Sequence, residues 1–413
     1  MKIALWVVVV GIAVLAFFGL SKSRSEIVAK PLVRHDSVRI EKQPFIYHDP
    51  NPFVESAIKE YEGFVKTLIA NRQAPGAALV ILRDTSIVFV KGYGLREIGK
   101  LDSVNSKTVF RIGSVSKSMS ATLCAALVND GVLQWDDPVI KYLPSFKLKT
   151  EEATKNVTIR HILSHTEGLP YHAYTDMLDR GAPVDTLIDY LQDLNLVAAP
   201  GKIFSYQNVG FSLIGKVIEA ATKKSFEEVL TEKLFRPLEM KNASASFKKI
   251  SENKNVAKPH YLTRSLKISD AYYSVAPAGG INASAEDMGL WLKEILTQKS
   301  KVFNAGRLKE IFEPQIHAPV RNYNFFKWKR IYKSYYGLGW RVVTFADSDT
   351  LIYHGGFVNN YRCEVAVNPK TKIAIALLVN SSSFLADRGV AEFFKIYDRH
   401  LTEINNWKPT PLP

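Results

Sequence analysis

Ser114 and Lys117 stand three residues apart in Gly113-Ser114-Val115-Ser116-Lys117, directly after Val109-Phe110-Arg111-Ile112. A helical pattern over 116–129 follows and is closed by Asp130-Gly131. This places Ser114 at a helix N-terminus, where unpaired N–H groups and the helix dipole favour negative charge. Residues three apart share a helix face, so the Lys117 amine can approach the Ser114 hydroxyl. A serine hydroxyl is a weak nucleophile until a base takes its proton. A lysine serves as that base only where burial or another cation lowers its pKa. The plain alternative is a capping serine beside a solvent-facing lysine.

Two further segments carry chemically competent groups. Phe204-Ser205-Tyr206-Gln207-Asn208 lies between the turn Pro200-Gly201 and a helical pattern over 209–222. A phenol beside an ammonium favours its ionised form, so Tyr206 reads as a proton shuttle. The Asn208 amide can orient a substrate carbonyl. Alternatively Tyr206 is a core aromatic and Asn208 an N-cap. His354-Gly355-Gly356 closes the apolar stretch 351–353. Paired glycines there let a substrate backbone lie against a sheet edge, and His354 could face a substrate carboxylate. The competing reading is a strand ending in a glycine turn.

Both ends of the chain supply the elements that would hold these groups. A helix is expected over 53–71, then strands over 77–82 and 87–90 joined by the polar turn 83–86. Strands over 340–345, 351–354, 364–367 and 373–379 precede a helix over 384–401, whereas the middle has helical periods. The expected fold is α+β: one antiparallel sheet built from both ends, flanked by terminal helices, with an inserted helical lobe. The division read from the pattern is 1–20 as an anchor or signal peptide and 21–52 as a linker. One domain over 53–405 follows, with an α/β lobe from 53–114 and 301–405 and a helical lobe over 115–300. The cleft between the lobes is where a site is expected.

Ser-x-x-Lys, then Tyr-x-Asn, then a short strand ending in glycine resembles the class C β-lactamase family, which includes penicillin-binding-protein-like D,D-peptidases, D-amino-acid peptidases and carboxylesterases. The likeness covers about residues 55–400. It extends to Pro75-Gly76-Ala77-Ala78, Asp130-Gly131-Val132-Leu133, His161-Ile162-Leu163-Ser164-His165-Thr166, Pro277-Ala278-Gly279-Gly280 and Tyr336-Gly337-Leu338-Gly339-Trp340. The resemblance implies a β-lactamase/transpeptidase-like fold with Ser114 as acylated nucleophile and Lys117 and Tyr206 as paired base and acid. Asn208 would contact the substrate amide, and the N–H groups of Ser114 and Phe357 would form the oxyanion hole. His354, Gly355 and Gly356 would line the substrate edge. No metal or organic cofactor is implied. Many β-lactamases of the family carry Lys-Thr where this chain has His354-Gly355, and His-Gly-Gly is similar to the esterase- and peptidase-like branches. A protonated His354 would favour carboxylate-bearing substrates below about pH 6.5.

Composition narrows the class. The 413 residues are 46% hydrophobic and 23% charged, an ordinary globular balance with no repeat. A net charge of +14 favours anionic surroundings, but the basic residues are dispersed and no nucleic-acid motif is present. Cys124 and Cys363 can form neither a disulfide framework nor a zinc site alone, and both read as buried small apolar residues. The apolar run 3–20 would span roughly 27 Å as a helix, so an extracytoplasmic, periplasmic protein held to the membrane by this segment is expected. The basic residues after it oppose the usual charge bias. The expected partner is a small-molecule or peptide substrate, such as a cell-wall D-Ala peptide, a β-lactam or an ester. A silent envelope scaffold or sensor is the rival of another class. His161 and His165, four apart, suit zinc by spacing, but no Glu follows His161, which favours structural hydrogen bonding. The stretch 321–336 interleaves basic and aromatic residues with no acid, as a solvated loop, a membrane-facing loop or a substrate-facing loop would.

Overall fold

The structure is a computed structural model that describes residues 49–297, 300–319, 331–347 and 349–408. The expected anchor 3–20, most of the linker and residues 321–330 of the basic-aromatic stretch lie outside the described residues. Among the described residues no helix is long and apolar enough to cross a membrane.

Eight antiparallel strands form the sheet: β1 (Gly76–Arg83), β2 (Ser86–Gly94), β3 (Ile316–His317), β4 (Ile331–Tyr336), β5 (Arg341–Phe345), β6 (Thr350–Val358), β7 (Tyr361–Asn368) and β8 (Ile373–Val379). Their spatial order is β2-β1-β8-β7-β6-β5-β4-β3, so the two ends of the chain meet where β1 pairs with β8. In β1, Ala77, Leu79 and Ile81 face one core while Ala78, Val80 and Leu82 face the other. That is why β1 and β8 read as unbroken apolar runs: both faces of the central strands are covered.

On one face lie helices α1 (Pro52–Ala70) and α6 (Phe384–Arg399). Asn51 caps α1 by accepting from the Phe53 N–H at 3.0 Å. Val54, Ala57, Ile58, Tyr61 and Val65 recur at helical spacing on its buried stripe. The linker reading of 21–52 is corrected at its end. Asp49 is buried and accepts from Arg83 at 2.8 Å, and the buried Asn51 amide donates to the Ile404 carbonyl at 3.0 Å. These residues tie the entry of α1 to the sheet and to the short helix Leu401–Asn406 that follows α6.

The other face carries α2 (Val115–Asn129) and α5 (Ala285–Leu296), and α3 (Ile159–Ser164) and α4 (Val209–Thr222) pack on each other in the helical lobe. Helix α2 is buried from Val115 to Val128, because it sits between sheet and helical lobe. The lobe boundary drawn at residue 300 is also displaced. Helix α5 lies on the sheet, where a Cβ on Gly289 would come within 2.9 Å of Val80 and Ile87 side-chain carbons. Trp291 of α5 stacks on Trp340 with centroids 5.3 Å apart.

The third correction concerns β6. The sequence suggested a strand ending at the glycines, yet β6 continues through Gly355, Gly356 and Phe357 in register with β7. The turn falls instead at Asn359-Asn360, both with positive φ, a conformation asparagine tolerates. Cys124 and Cys363 are free and buried.

Candidate active site

Loop 112–114 enters α2 pressed against β6. Gly113 has φ +53°, and a Cβ there would lie 2.7 Å from the Phe357 nitrogen. A Cβ on Gly356 would lie 1.9 Å from the Ile112 oxygen and 3.1 Å from the Ser114 nitrogen. Two glycines facing each other therefore let loop and strand touch, and both Ser114 and Phe357 reach one cleft of about 390 Å³. Helix α2 is pinned in this position by its own hydroxyls. Ser118 donates to the Gly339 carbonyl at 2.7 Å and Ser120 to the Pro277 carbonyl at 2.9 Å, while Ser116 accepts from the Ile281 N–H at 3.0 Å.

Ser114 occupies the N-cap position but makes no side-chain cap bond. Its Oγ lies 3.3 Å from Lys117 Nζ, and it shares the cleft with Tyr206. Lys117 is fully buried, and its Nζ is 2.8 Å from both Asn208 Oδ1 and the Ala278 carbonyl oxygen. The amine also sits 4.7 Å from the Tyr206 ring centre and 5.5 Å from that of Phe211. Burial pushes its pKa well below the ordinary lysine value.

Two of the three polar neighbours of Nζ are carbonyl oxygens that can only accept. A neutral amine has two N–H groups and one lone pair. Its two hydrogens satisfy Asn208 and Ala278, and the lone pair is left for the serine hydroxyl. An ammonium could donate to all three oxygens, so it is burial that favours the neutral amine, the form that can take a proton.

Tyr206 departs from its expected state. Burial raises its pKa to about 12, opposed by the Ser114 hydroxyl and by the Arg341 charge. The phenol therefore keeps its proton at neutral pH, so it donates rather than acting as a phenolate. Asn208 stands at the N-cap of α4, as expected for its position, but its side chain serves Lys117 instead of the helix.

His354 is corrected more fully. It is 1% exposed, its Nε2 pairs with the Tyr336 hydroxyl at 2.9 Å and its Nδ1 lies 2.9 Å from the Gly355 oxygen. It does not line the cleft, although Gly355 and Gly356 do. Burial, with the Arg341 and Lys117 charges behind it, holds its pKa well below the ordinary histidine value. A neutral, buried imidazole is no carboxylate anchor.

One contribution escaped sequence reading, and a second was read only as structural hydrogen bonding. The Ala278 carbonyl completes the Lys117 environment, yet Pro277-Ala278-Gly279-Gly280 offers no side chain that signals it. His165 sits at the end of α3 with φ +58° and ties down the irregular segment carrying Tyr206. Its carbonyl accepts from the Ser205 N–H at 2.8 Å, its Nδ1 accepts from the Gln207 N–H at 3.2 Å, and its ring lies 4.3 Å from that of Tyr206. His161 turns elsewhere, accepting from the Thr158 N–H at 3.2 Å. Among the described residues no group of three or more His, Cys, Asp or Glu gathers as a metal site would require.

An antiparallel sheet with helices on both faces and a Ser-Lys-Tyr cluster at the lobe boundary defines a β-lactamase/transpeptidase-like protein. A family model described as Beta-lactamase matches residues 61–395, and the chain belongs to that family, whose members are generally serine hydrolases. It is 25% identical over 316 residues to protein flp of Staphylococcus aureus (strain MW2), an alignment covering 75% of this chain and 60% of that protein. It is 26% identical over 360 residues to the unguisins hydrolase ungD' of Aspergillus campestris, covering 83% of this chain and 65% of that one. The chain thus spans less than two thirds of the length of these relatives. Among solved structures it is similar to the octameric penicillin-binding protein homologue from Pyrococcus abyssi, with TM-score 0.71 and 26% identity over 82% of this chain and 77% of that one.

Proposed function

We propose that this protein is a serine hydrolase that opens an ester or amide bond through an acyl-enzyme on Ser114. The observation that carries this reading is the Lys117 environment: a buried amine with two fixed acceptors and its third contact on a serine hydroxyl. As Ser114 Oγ bonds to the substrate carbonyl carbon, its proton passes to the Lys117 lone pair. The N–H groups of Ser114 and Phe357 receive the oxyanion, a contribution worth about 3–4 kcal/mol per donor in comparable sites. Asn208, its oxygen held by Lys117, presents its NH₂ towards the substrate carbonyl. The Tyr206 phenol gives its proton to the leaving group and recovers one from the Lys117 ammonium. Water then attacks the acyl carbon, loses its proton by the same route in reverse, and Ser114 leaves protonated.

Substrates of this reading are a cell-wall D-Ala peptide, a β-lactam or a carboxylic ester, with residues 3–20 holding the protein at a membrane. Intact-mass analysis after a fluorophosphonate and, separately, after a penicillin tests it. One adduct of the phosphonyl group is expected in the wild type and none in Ser114→Ala. A fluorophosphonate adduct alone points to a carboxylesterase, and a lasting penicillin adduct to a penicillin-binding role. Absence of both leaves the silent scaffold.

The buried state of His354 gives a pH expectation. Burial holds its pKa well below the ordinary histidine value, and the cleft-lining His172 is shifted in the same direction. The ratio of KM for a carboxylate-bearing substrate to that of its carboxamide analogue will stay flat from about pH 8 to 5.5. Tighter binding of the carboxylate alone on acidification through 6.5 would restore His354 as an anchor.

A further inference from the structure

Beside Tyr206, away from the main cleft, lies a second cavity of about 240 Å³. Its rim is apolar and open: Tyr171, Val197 and Ile203 are 55%, 52% and 38% exposed. Its depth is polar. Arg341, at the first position of β5, lays its guanidinium 5.7 Å from the Phe204 ring centre and 5.6 Å from that of Tyr336. Nη1 of Arg341 is buried without a hydrogen-bond partner, and among the described residues no carboxylate forms a salt bridge with it. Ser205 lines the same cavity, is 3% exposed, and its Oγ also lacks a partner. Buried donors are almost always satisfied, so two orphaned donors on one cavity point to a missing acceptor.

We propose that this cavity receives a leaving group bearing a carboxylate on an apolar or aromatic body, held by Arg341 and Ser205. The inference rests on the serine-hydrolase reading of Ser114 and extends it to a substrate class. A carboxylate offers two acceptor oxygens to a guanidinium and a hydroxyl, and the exposed rim covers an apolar body. Arg341 lies close enough for its charge to act on Tyr206, the phenol that protonates the leaving group, and Phe204 and Ser205 directly precede that residue. The main cleft has no comparable anchor, since its Arg362 is paired with Glu364 at 2.6 Å and Asp387 at 2.9 Å.

The acetate esters of 4-hydroxybenzoate and 4-hydroxybenzamide differ only in the group this pocket would read. Wild type is expected to prefer the benzoate about tenfold in kcat/KM, as a charge-assisted hydrogen bond would give. Arg341→Gln should abolish that preference, Arg341→Lys should keep part of it, and Ser205→Ala should reduce it. The ratio is the readout, because loss of the Phe204 and Tyr336 stacking would slow both esters alike. Equal rates for the two esters in wild type, or a preference that survives Arg341→Gln, would overturn the pocket while leaving Ser114 chemistry standing. If neither ester is cleaved and Ser114 takes no fluorophosphonate, the hydrolase reading fails. Calorimetric titration with 4-hydroxybenzoate then decides the pocket alone: weaker binding in Arg341→Gln supports it, and equal or absent binding in both proteins overturns it.

Discussion

Replacing Lys117 by methionine will slow acylation of Ser114 by a fluorophosphonate about 10⁴-fold, the upper range for removal of a general base. Methionine fills a similar volume in a site that is fully buried, so the loss reports the amine and not a cavity. No neighbour can take over the role. Tyr206 keeps its proton up to about 12, and His165, which packs on it, is too deeply buried to hold a proton well and already spends its Nδ1 lone pair on the Gln207 N–H. Stopped-flow labelling measures the rate. A loss below tenfold would show that Lys117 is a structural element of the site.

The same variant carries a signature in stability. In the folded protein Lys117 titrates well below its ordinary value of 10.5, because burial disfavours the ammonium. Between the folded and unfolded values the unfolded chain binds a proton that the folded chain does not. The unfolding free energy of the wild type therefore rises with pH across that window and is lowest below it. Lys117→Met lacks this component, while groups distant from position 117 titrate alike in both proteins. The difference between wild type and variant in denaturant unfolding should climb with pH up to about 10.5 and then level. A flat difference curve would mean that the lysine remains charged when folded.

Much of this was legible in the residues, and the misses share a cause. Strand and helix positions follow from apolar periodicity, which survives in one sequence because each element buries a regular stripe. The Ser114, Lys117, Tyr206 and Asn208 cluster converges because their spacings belong to helix starts and strand ends that the sheet brings together. What the sequence could not carry is direction and solvation. His354 looks like an available cation until Tyr336, eighteen positions earlier, is found bonded to it and Arg341 behind it. Tyr206 looks like a phenolate until its surroundings prove too dry to hold that charge. Ala278 contributes a backbone oxygen, which no residue type announces. The glycines of β6 look like a turn because a glycine required by a neighbour's approach cannot be told, in one sequence, from a glycine required by φ.

That last distinction gives the sharpest structural prediction. Gly356→Ala will lower kcat by about 10²- to 10³-fold, the range for losing an oxyanion-hole donor. Its new methyl would stand 1.9 Å from the Ile112 carbonyl oxygen, a backbone atom that no rotamer change can move. Relief requires the loop carrying Gly113 and Ser114 to withdraw from β6, which separates the Ser114 N–H from that of Phe357. The adjacent substitution acts on the opposite face of the sheet. A methyl on Gly355 would lie 2.6 Å from Glu364 Oε2 and from the Tyr353 hydroxyl, so Gly355→Ala should cost stability chiefly by disturbing that buried pair. Gly63→Ala, exposed within α1 with no atom near its new methyl, is the matched control and should stabilise by about 0.5–1 kcal/mol. Steady-state kinetics and thermal unfolding on the three variants separate these effects. If Gly356→Ala unfolds at a lower temperature while retaining wild-type kcat, the close approach of loop and strand shapes the fold alone, and the oxyanion must be held elsewhere.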